Sequence, residues 1–543
     1  MGLVVTALLA VGCQGEYRTD AQKLDRIWTT GNYEEAATFA YVEAMEESRH
    51  RKNRVVYFLE AGRTAQAAGD YRTSSQSFDL AFVDTFPYLS EAPEATVSEA
   101  IVTTVGNDTM ARYRGTPNDR IMLHALNSLN FMAMGDMPAA RVELNRALLW
   151  HDDALTRYAE AIDLATKKNK KNVDAEGDKW KRKAGSEAWS KNSNKVVHGN
   201  TASILNEHYR DLPADIGDAT YGNAFATHLR GIFRLARRDR DADLSGARFD
   251  LRAVAGMVPS LGEHLSTDLA TVEGEIDLTP TTWVYYFSGQ APELEQVKLS
   301  VPLPLPGAFT MPTLALPKLV FEKSALSPLH VAADSDVTTT LLLSNTSMTA
   351  GAQFRQRLPI IISQELVRAT GKSVATYVAM QLAEQQQSAI AMVFAVGMVA
   401  YQYGSAQADL RTWHTLPSEI QVARIATPKS GRIALSHADG KSLGVAEVIP
   451  NECNIVVVSM PSAAAPTASV MAIQLTGELR PFVEIFDLQH TPDPQTEADT
   501  VDSTYEPVEE VSPGEVPSAD TRPAASGVVA LLIASGSTPI LAV

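Results

Sequence analysis

Three short turns recur in the first third of the chain with the same punctuation, and they restrict its N-terminal fold more than any other feature. Leu24, Ile27 and Trp28 run into Gly31-Asn32-Tyr33 and then Ala36 and Ala40. Phe58, Gly62 and Ala65 run into Gly69-Asp70-Tyr71 and then Phe78 and Ala81. Leu126 and Phe131 run into Gly135-Asp136-Met137 and then Ala140, Leu144 and Ala147. Each glycine stands where a helix can end in a left-handed residue at little cost. Apolar residues at helical spacing before and after each turn predict a pair of helices, and the small residues let the two approach closely. A fourth unit, Phe225 to Pro259, keeps Ala247, Leu251, Val254 and Pro259 at matching offsets behind a longer charged turn, Arg237-Arg238-Asp239-Arg240-Asp241. The expectation is a stack of helical hairpins over 14–262. A generic helical bundle would bury the same residues, but four matches at one spacing favour the stack.

These positions resemble the tetratricopeptide pattern. Stacks of that kind hold partners and rarely do chemistry, so a protein or peptide ligand is implied. Tyr33, Tyr71, Met137 and a basic patch near Trp180 are places where it could touch, each equally readable as core or solvated face. The patch lies in an insertion, 165–200, with Lys167-Lys168-Asn169-Lys170-Lys171 and Lys179-Trp180-Lys181-Arg182-Lys183. It would suit an acidic partner or anionic lipid, although charge runs are usually solvated faces.

After Pro259 the period changes. Over 263–350, Thr281-Thr282-Trp283-Val284-Tyr285-Tyr286-Phe287 reads as a strand, and Val297-Lys298-Leu299-Ser300-Val301 alternates. Pro302, Pro304, Pro306, Pro312 and Pro317 then require an extended path along an edge or over a surface. Residues 351–408 read as helical from Phe354, ending in an apolar run, 389–400, too short to span a bilayer. Residues 409–490 read as a small β-sandwich of short strands with glycine turns. An acidic, proline-rich linker, 491–525, has little to bury, and 526–543 is an apolar C-terminal segment. The fold class expected is therefore α+β: a helical-hairpin solenoid followed by a mixed helical and small β unit.

The chain of 543 residues carries 47 Lys and Arg against 64 Asp and Glu, a net charge of −17. That argues against nucleic acid, whose phosphates need a basic surface. Two cysteines, Cys13 and Cys453, are too far apart in sequence and setting to form a disulfide framework. Cys13 closes the short apolar run 1–13, with small residues leading into it. The run resembles the lipobox of a bacterial lipoprotein signal peptide, though no Lys or Arg precedes it and Ala10 stands where Leu is usual. The resemblance implies a lipid on Cys13 and a periplasmic location. With Gln14 rather than Asp after the cysteine, it implies the outer rather than the inner membrane. The other reading is a buried N-terminal helix.

Asp409-Leu410-Arg411-Thr412-Trp413-His414-Thr415-Leu416-Pro417 is the most distinctive run of the later chain. With Trp283 to Phe287, Leu316-Pro317-Lys318-Leu319 and Arg357-Leu358-Pro359-Ile360-Ile361, it resembles an uncharacterised family of bacterial lipoproteins with tetratricopeptide-like N-terminal halves. The likeness covers about residues 20 to 460. It implies an exported, lipid-anchored helical-repeat protein and brings no activity with it. Zinc-protease, phosphate-loop, nucleophile-elbow and cysteine-rich metal motifs are missing, so no catalytic, cofactor or metal residue is assigned. The case for an enzyme or carbohydrate-binding protein rests on Asp409, Arg411, Trp413 and His414 lying close in sequence. The alternative is a structural junction in which Asp409 and Arg411 pair while Trp413 packs between two units, with Pro417 beyond. That reading is favoured, because an acid–base pair must meet in space. Part of a secretion or pore assembly is a third class.

Overall fold

The computed structural model describes residues 17–47, 52–85, 112–154, 199–213, 222–301, 303–305, 308–321, 326–386 and 407–480, with isolated positions 156, 163, 167, 171 and 488. The segment with Cys13, Trp180 and most of the basic insertion, the apolar run 389–400, the linker 491–525 and the segment 526–543 lie outside these residues. The described residues combine an N-terminal array of helices with several sheets.

The array begins with α1 (17–29), α2 (Tyr33–Glu47), α3 (Arg54–Ala68) and α4 (Tyr71–Thr85). It continues with α5 (Pro117–Ala133), α6 (Met137–Asp153), a separate helix α7 (199–208), α8 (Ala224–Arg237), α9 (Asp243–Met257) and α10 (Gly262–Glu273). The turn glycines Gly31, Gly69 and Gly135 have φ of 72°, 92° and 80°, a region open to glycine at little cost. At Gly69 the next two amides return to the helix end, Gly69 to Gln66 O at 3.2 Å and Asp70 to Ala65 O at 3.0 Å. Asp70 and Asp136 then cap the following helices through Thr73 N and Ala139 N, each at 2.9 Å. Between helices the packing is close. A Cβ on Gly62 would lie 2.5 Å from the Phe78 ring. Phe78, Ala36, Ala81, Ala140, Ala147 and Ala247 are all fully or almost fully buried. Pro259 opens a single 3-10 turn, Pro259–Leu261, between α9 and α10.

Burial is unequal within each hairpin. Of the leading helices, α3 buries 13 of 15 residues, α5 14 of 17 and α8 12 of 14. Their partners bury far fewer: α4 8 of 15, α6 7 of 17 and α9 5 of 15. A surface helix buries one stripe, so something else must cover the leading helices.

A sheet does so. The strands are β1 (Thr281–Ser288), β2 (Glu293–Ser300), β3 (Leu303–Leu305), β4 (Ala308–Thr310), β5 (Thr313–Val320), β6 (Leu329–Ala333), β7 (Asp336–Thr339) and β8 (Leu341–Asn345). After helix α11 (Thr346–Gln386) come β9 (Glu419–Ala426), β10 (Arg432–His437), β11 (Ser442–Glu447), β12 (Asn454–Met460) and β13 (Ser469–Gln474). Five strands form a sheet in the order β13-β12-β1-β9-β8. Its centre, β1, runs parallel to β12 (Thr282 opposite Asn454) and antiparallel to β9 (Thr281 opposite Ala426). Alternate side chains of a strand face opposite ways. Trp283, Tyr285 and Phe287 accordingly join Phe225, Leu229 and Phe58 in the core of the helical array. Val284 and Tyr286 join Val331, Ile433 and Leu435 of a second sheet, ordered β11-β10-β6-β7. The strands of 263–350 and 409–490 thus interleave in shared sheets.

The proline-rich segment forms a two-stranded ribbon, β2 with β5, in which Pro317 stands opposite Gln296. An isolated pair tolerates proline because one side of each strand is unpaired. Leu314 and Leu316 of this ribbon pack with Tyr209, Leu358, Ile362 and Leu366 into a separate core. Helix α11 starts earlier than its sequence suggests: Asn345 Oδ1 accepts from Met348 N at 2.8 Å and so caps it. Pro359 lies inside this helix.

Candidate functional site

Residues 407–418 are irregular and lead into β9. Their side chains and amides are held by the helical array, more than three hundred residues earlier in the chain. Arg411 and Asp409 form a two-pronged ion pair, Nη2 to Oδ2 at 2.6 Å and Nε to Oδ1 at 2.8 Å. Arg411 Nη1 then reaches the turn before α3, donating to Lys52 O at 3.0 Å and Asn53 Oδ1 at 3.3 Å. Its side chain is only 5% exposed. Burial works against its charge, but the Asp409 carboxylate outweighs this and holds Arg411 above the usual arginine range. Tyr17 closes the other side: its hydroxyl donates to Thr412 O at 3.1 Å and accepts from Thr412 N at 3.2 Å.

Trp413 is 1% exposed and meets Phe78 edge-on, with ring centres 5.9 Å apart. Its indole N–H donates to Thr415 Oγ1 at 3.2 Å. Pro417 is buried just before β9. Asp409, Arg411, Trp413 and Pro417 are thus brought to one place, the seam between the helical array and the sheet.

The centre of that seam is a residue that belongs to no motif. Glu60 of α3 accepts from His414 N at 2.6 Å, Thr415 N at 3.2 Å and Thr415 Oγ1 at 2.5 Å. Burial pushes its carboxyl up to about 7, even though these three bonds favour the anion. One turn on, Arg63 is 2% exposed. It donates to Ser459 Oγ of β12 at 2.8 Å and lies over the rings of Trp28 and Phe287, 5.5 and 5.3 Å from their centres. Burial lowers it to about 10. Among the described residues it has no ion-pair partner, so ring faces, the Ser459 hydroxyl and the Gln66 amide oxygen stand in for a carboxylate. Two charges, Glu60 and Arg63, in the middle of a helix rich in apolar and small residues were the available signal.

His414 contributes its backbone. Neither ring nitrogen has a hydrogen-bond partner among the described residues, and Nδ1 lies 3.9 Å from Glu293. Burial pushes the imidazole down to about 4, so it is neutral at pH 7. A general base needs hydrogen-bond reach to the proton it takes. Here Asp409 is bonded to Arg411, Glu60 is covered by the amides of 414–415, and the His414 ring bonds neither carboxylate. The arrangement can clasp two parts of the chain together. Among the described residues, no group of three His, Cys, Asp or Glu side chains could hold a metal ion.

Of the residues suggested as partner contacts, Tyr71 and Met137 are buried at 6% and 3% exposure and belong to the core. Tyr33 donates to Ser459 O and Thr467 O at 3.0 and 3.2 Å, another tie to the sheet. Trp180 lies outside the described residues. Comparison of the chain with family models, with curated proteins and with solved structures finds no match.

Proposed function

We propose that this chain is a non-catalytic binding scaffold of tetratricopeptide-like hairpins, anchored to the bacterial cell envelope by lipid on Cys13 and facing the periplasm. In this reading the two facing sheets form a small β-sandwich that fills the inner face of the hairpin stack. A protein partner is then left the outer face.

One observation carries this reading. The second helix of every hairpin exposes large apolar side chains: Val42 and Met45 on α2, Val83 on α4, Val142 and Leu149 on α6, and Phe249, at 69%, on α9. Exposed apolar side chains recurring on successive second helices are suited to recognising a protein. The clasp around Glu60 supports a structural rather than a catalytic role for Asp409, Arg411 and Trp413.

The test is affinity capture from an envelope fraction with the wild-type chain and with a Val83→Glu, Phe249→Glu variant, both of which should fold because these positions are exposed. A partner retained by the first and lost by the second supports the reading. Equal capture by both would overturn it. Cys13→Ser should move the protein out of the membrane fraction if the lipid anchors it.

A further inference from the structure

A cavity of about 320 Å³ opens between α6, α8 and the start of α9. It is lined by Arg141, Asn145, Arg234, Arg240, Ser245 and Gly246, with Ala242 and Asp243. In a chain with net charge −17, three guanidinium groups around one opening are unusual.

The neighbouring carboxylates are already engaged. Asp243 bonds Arg141 through both oxygens, at 2.7 and 3.0 Å, and accepts from Arg240 N at 3.0 Å. Asp239 is shared between Arg141 and Arg237, at 3.0 and 3.1 Å. Asp250 is shared between Arg230 and Arg234. Around the cavity, five arginines (141, 230, 234, 237 and 240) therefore face three aspartates (239, 243 and 250). The Arg240 side chain is exposed and makes no ion pair among the described residues. Arg234 feels this surplus. Burial and the charges of Arg230 and Arg141 lower it despite Asp250.

We propose that this cavity binds a phosphate group, free or carried on an organic molecule. A carboxylate presents two coplanar oxygens and is satisfied by one guanidinium fork. Here the cationic donors come from three different elements, and the Asn145 amide stands among them, while the Ser245 hydroxyl donates to Ala242 O at 2.9 Å. Donors converging from several directions suit a tetrahedral group with three or four oxygens. The local surplus of two positive charges matches a phosphate monoester dianion. Gly246 leaves room for this group: a Cβ there would lie 2.6 Å from Arg234 Nη1 and would push the end of the guanidinium aside.

The experiment is calorimetric titration of the full chain with inorganic phosphate, glycerol 3-phosphate, sulfate and acetate at matched ionic strength. Phosphate or its ester should bind saturably and at least about tenfold more tightly than acetate. Arg240→Gln should weaken phosphate about tenfold, the loss of one charge-assisted contact. Arg248→Gln, an equal charge change at an exposed position of α9, should leave binding unchanged. Gly246→Ala, which alters no charge, should also weaken it. Tighter binding of the ester identifies a carried phosphate, and tighter binding of inorganic phosphate identifies the free ion. Absence of saturable binding, equal binding of acetate, or equal losses in Arg240→Gln and Arg248→Gln would each overturn the proposal.

Discussion

Replacing Glu60 with glutamine should change how stability depends on pH, and in a direction opposite to that of an ion-paired carboxylate such as Asp243. The folded chain holds this carboxyl at about 7, whereas its ordinary value is 4.5. Between those values the folded state binds a proton that the unfolded state has released, so this group's contribution falls as pH rises from 4.5 to 7 and is level above. The difference of about 2.5 pH units, at about 1.36 kcal/mol each, amounts to about 3 kcal/mol. Glu60→Gln cannot titrate. Subtracting its urea unfolding curve from that of the wild type, at each of several pH values from 4 to 8.5, removes the other titrating groups. The wild type should lose about 3 kcal/mol relative to the variant across that range. A flat difference would mean that the three donors from His414 and Thr415 hold the carboxylate ionised, and a difference growing in favour of the wild type would reverse the argument altogether.

Three further outcomes follow from the same seam. Trp413→Ala should cost about 3–5 kcal/mol by urea unfolding, because an almost fully buried indole is lost from a contact that cannot collapse freely; a cost below about 1 kcal/mol would show that the seam does not hold the two parts together. Gly62→Ala should destabilise by about 1–3 kcal/mol despite alanine's better helix propensity, since its Cβ would overlap the Phe78 ring, and adding Phe78→Leu should recover part of the loss. His414 is held down to about 4, so the folded state resists a proton that the unfolded state accepts near 6.5. Its contribution is complete above 6.5 and is lost as pH falls toward 4. Its ring proton shift, followed by NMR, should stay at the neutral position down to about pH 5.

The hairpins were legible because they are local. Gly31, Gly69 and Gly135 end helices by backbone conformation alone, and Ala36, Ala81, Ala140, Ala147 and Ala247 pack against neighbours a few tens of residues away. The strands β9 to β12 were legible for the same reason, from β-branched runs bounded by turns. What covers the leading helices was not. β1 pairs with β12 in parallel, and nothing in Thr281 to Ser288 specifies a partner some 170 residues later. Asp409 and Arg411 were readable as an ion pair, yet their anchorage on Lys52 and Asn53 was not, because it uses a backbone carbonyl and an amide side chain. The start of α11 was read at Phe354, whereas the helix begins at Thr346 behind its Asn345 cap. Tyr71 and Met137 were read as partner contacts or core because an amphipathic side chain beside a turn suits either, and only the packed structure places them in the core.

Glu60 and the amides that satisfy it are 354 and 355 residues apart. A ribosome therefore completes helices α1 to α9 well before it delivers the 407–418 segment, and for that interval the leading helices present Glu60, Arg63 and the rings around them to whatever is nearby. Contacts so distant in sequence form late and slowly. The order of synthesis makes the helical half a mould that waits for its own casting, and a nascent chain halted near residue 262 should depend on a chaperone until the sheet arrives.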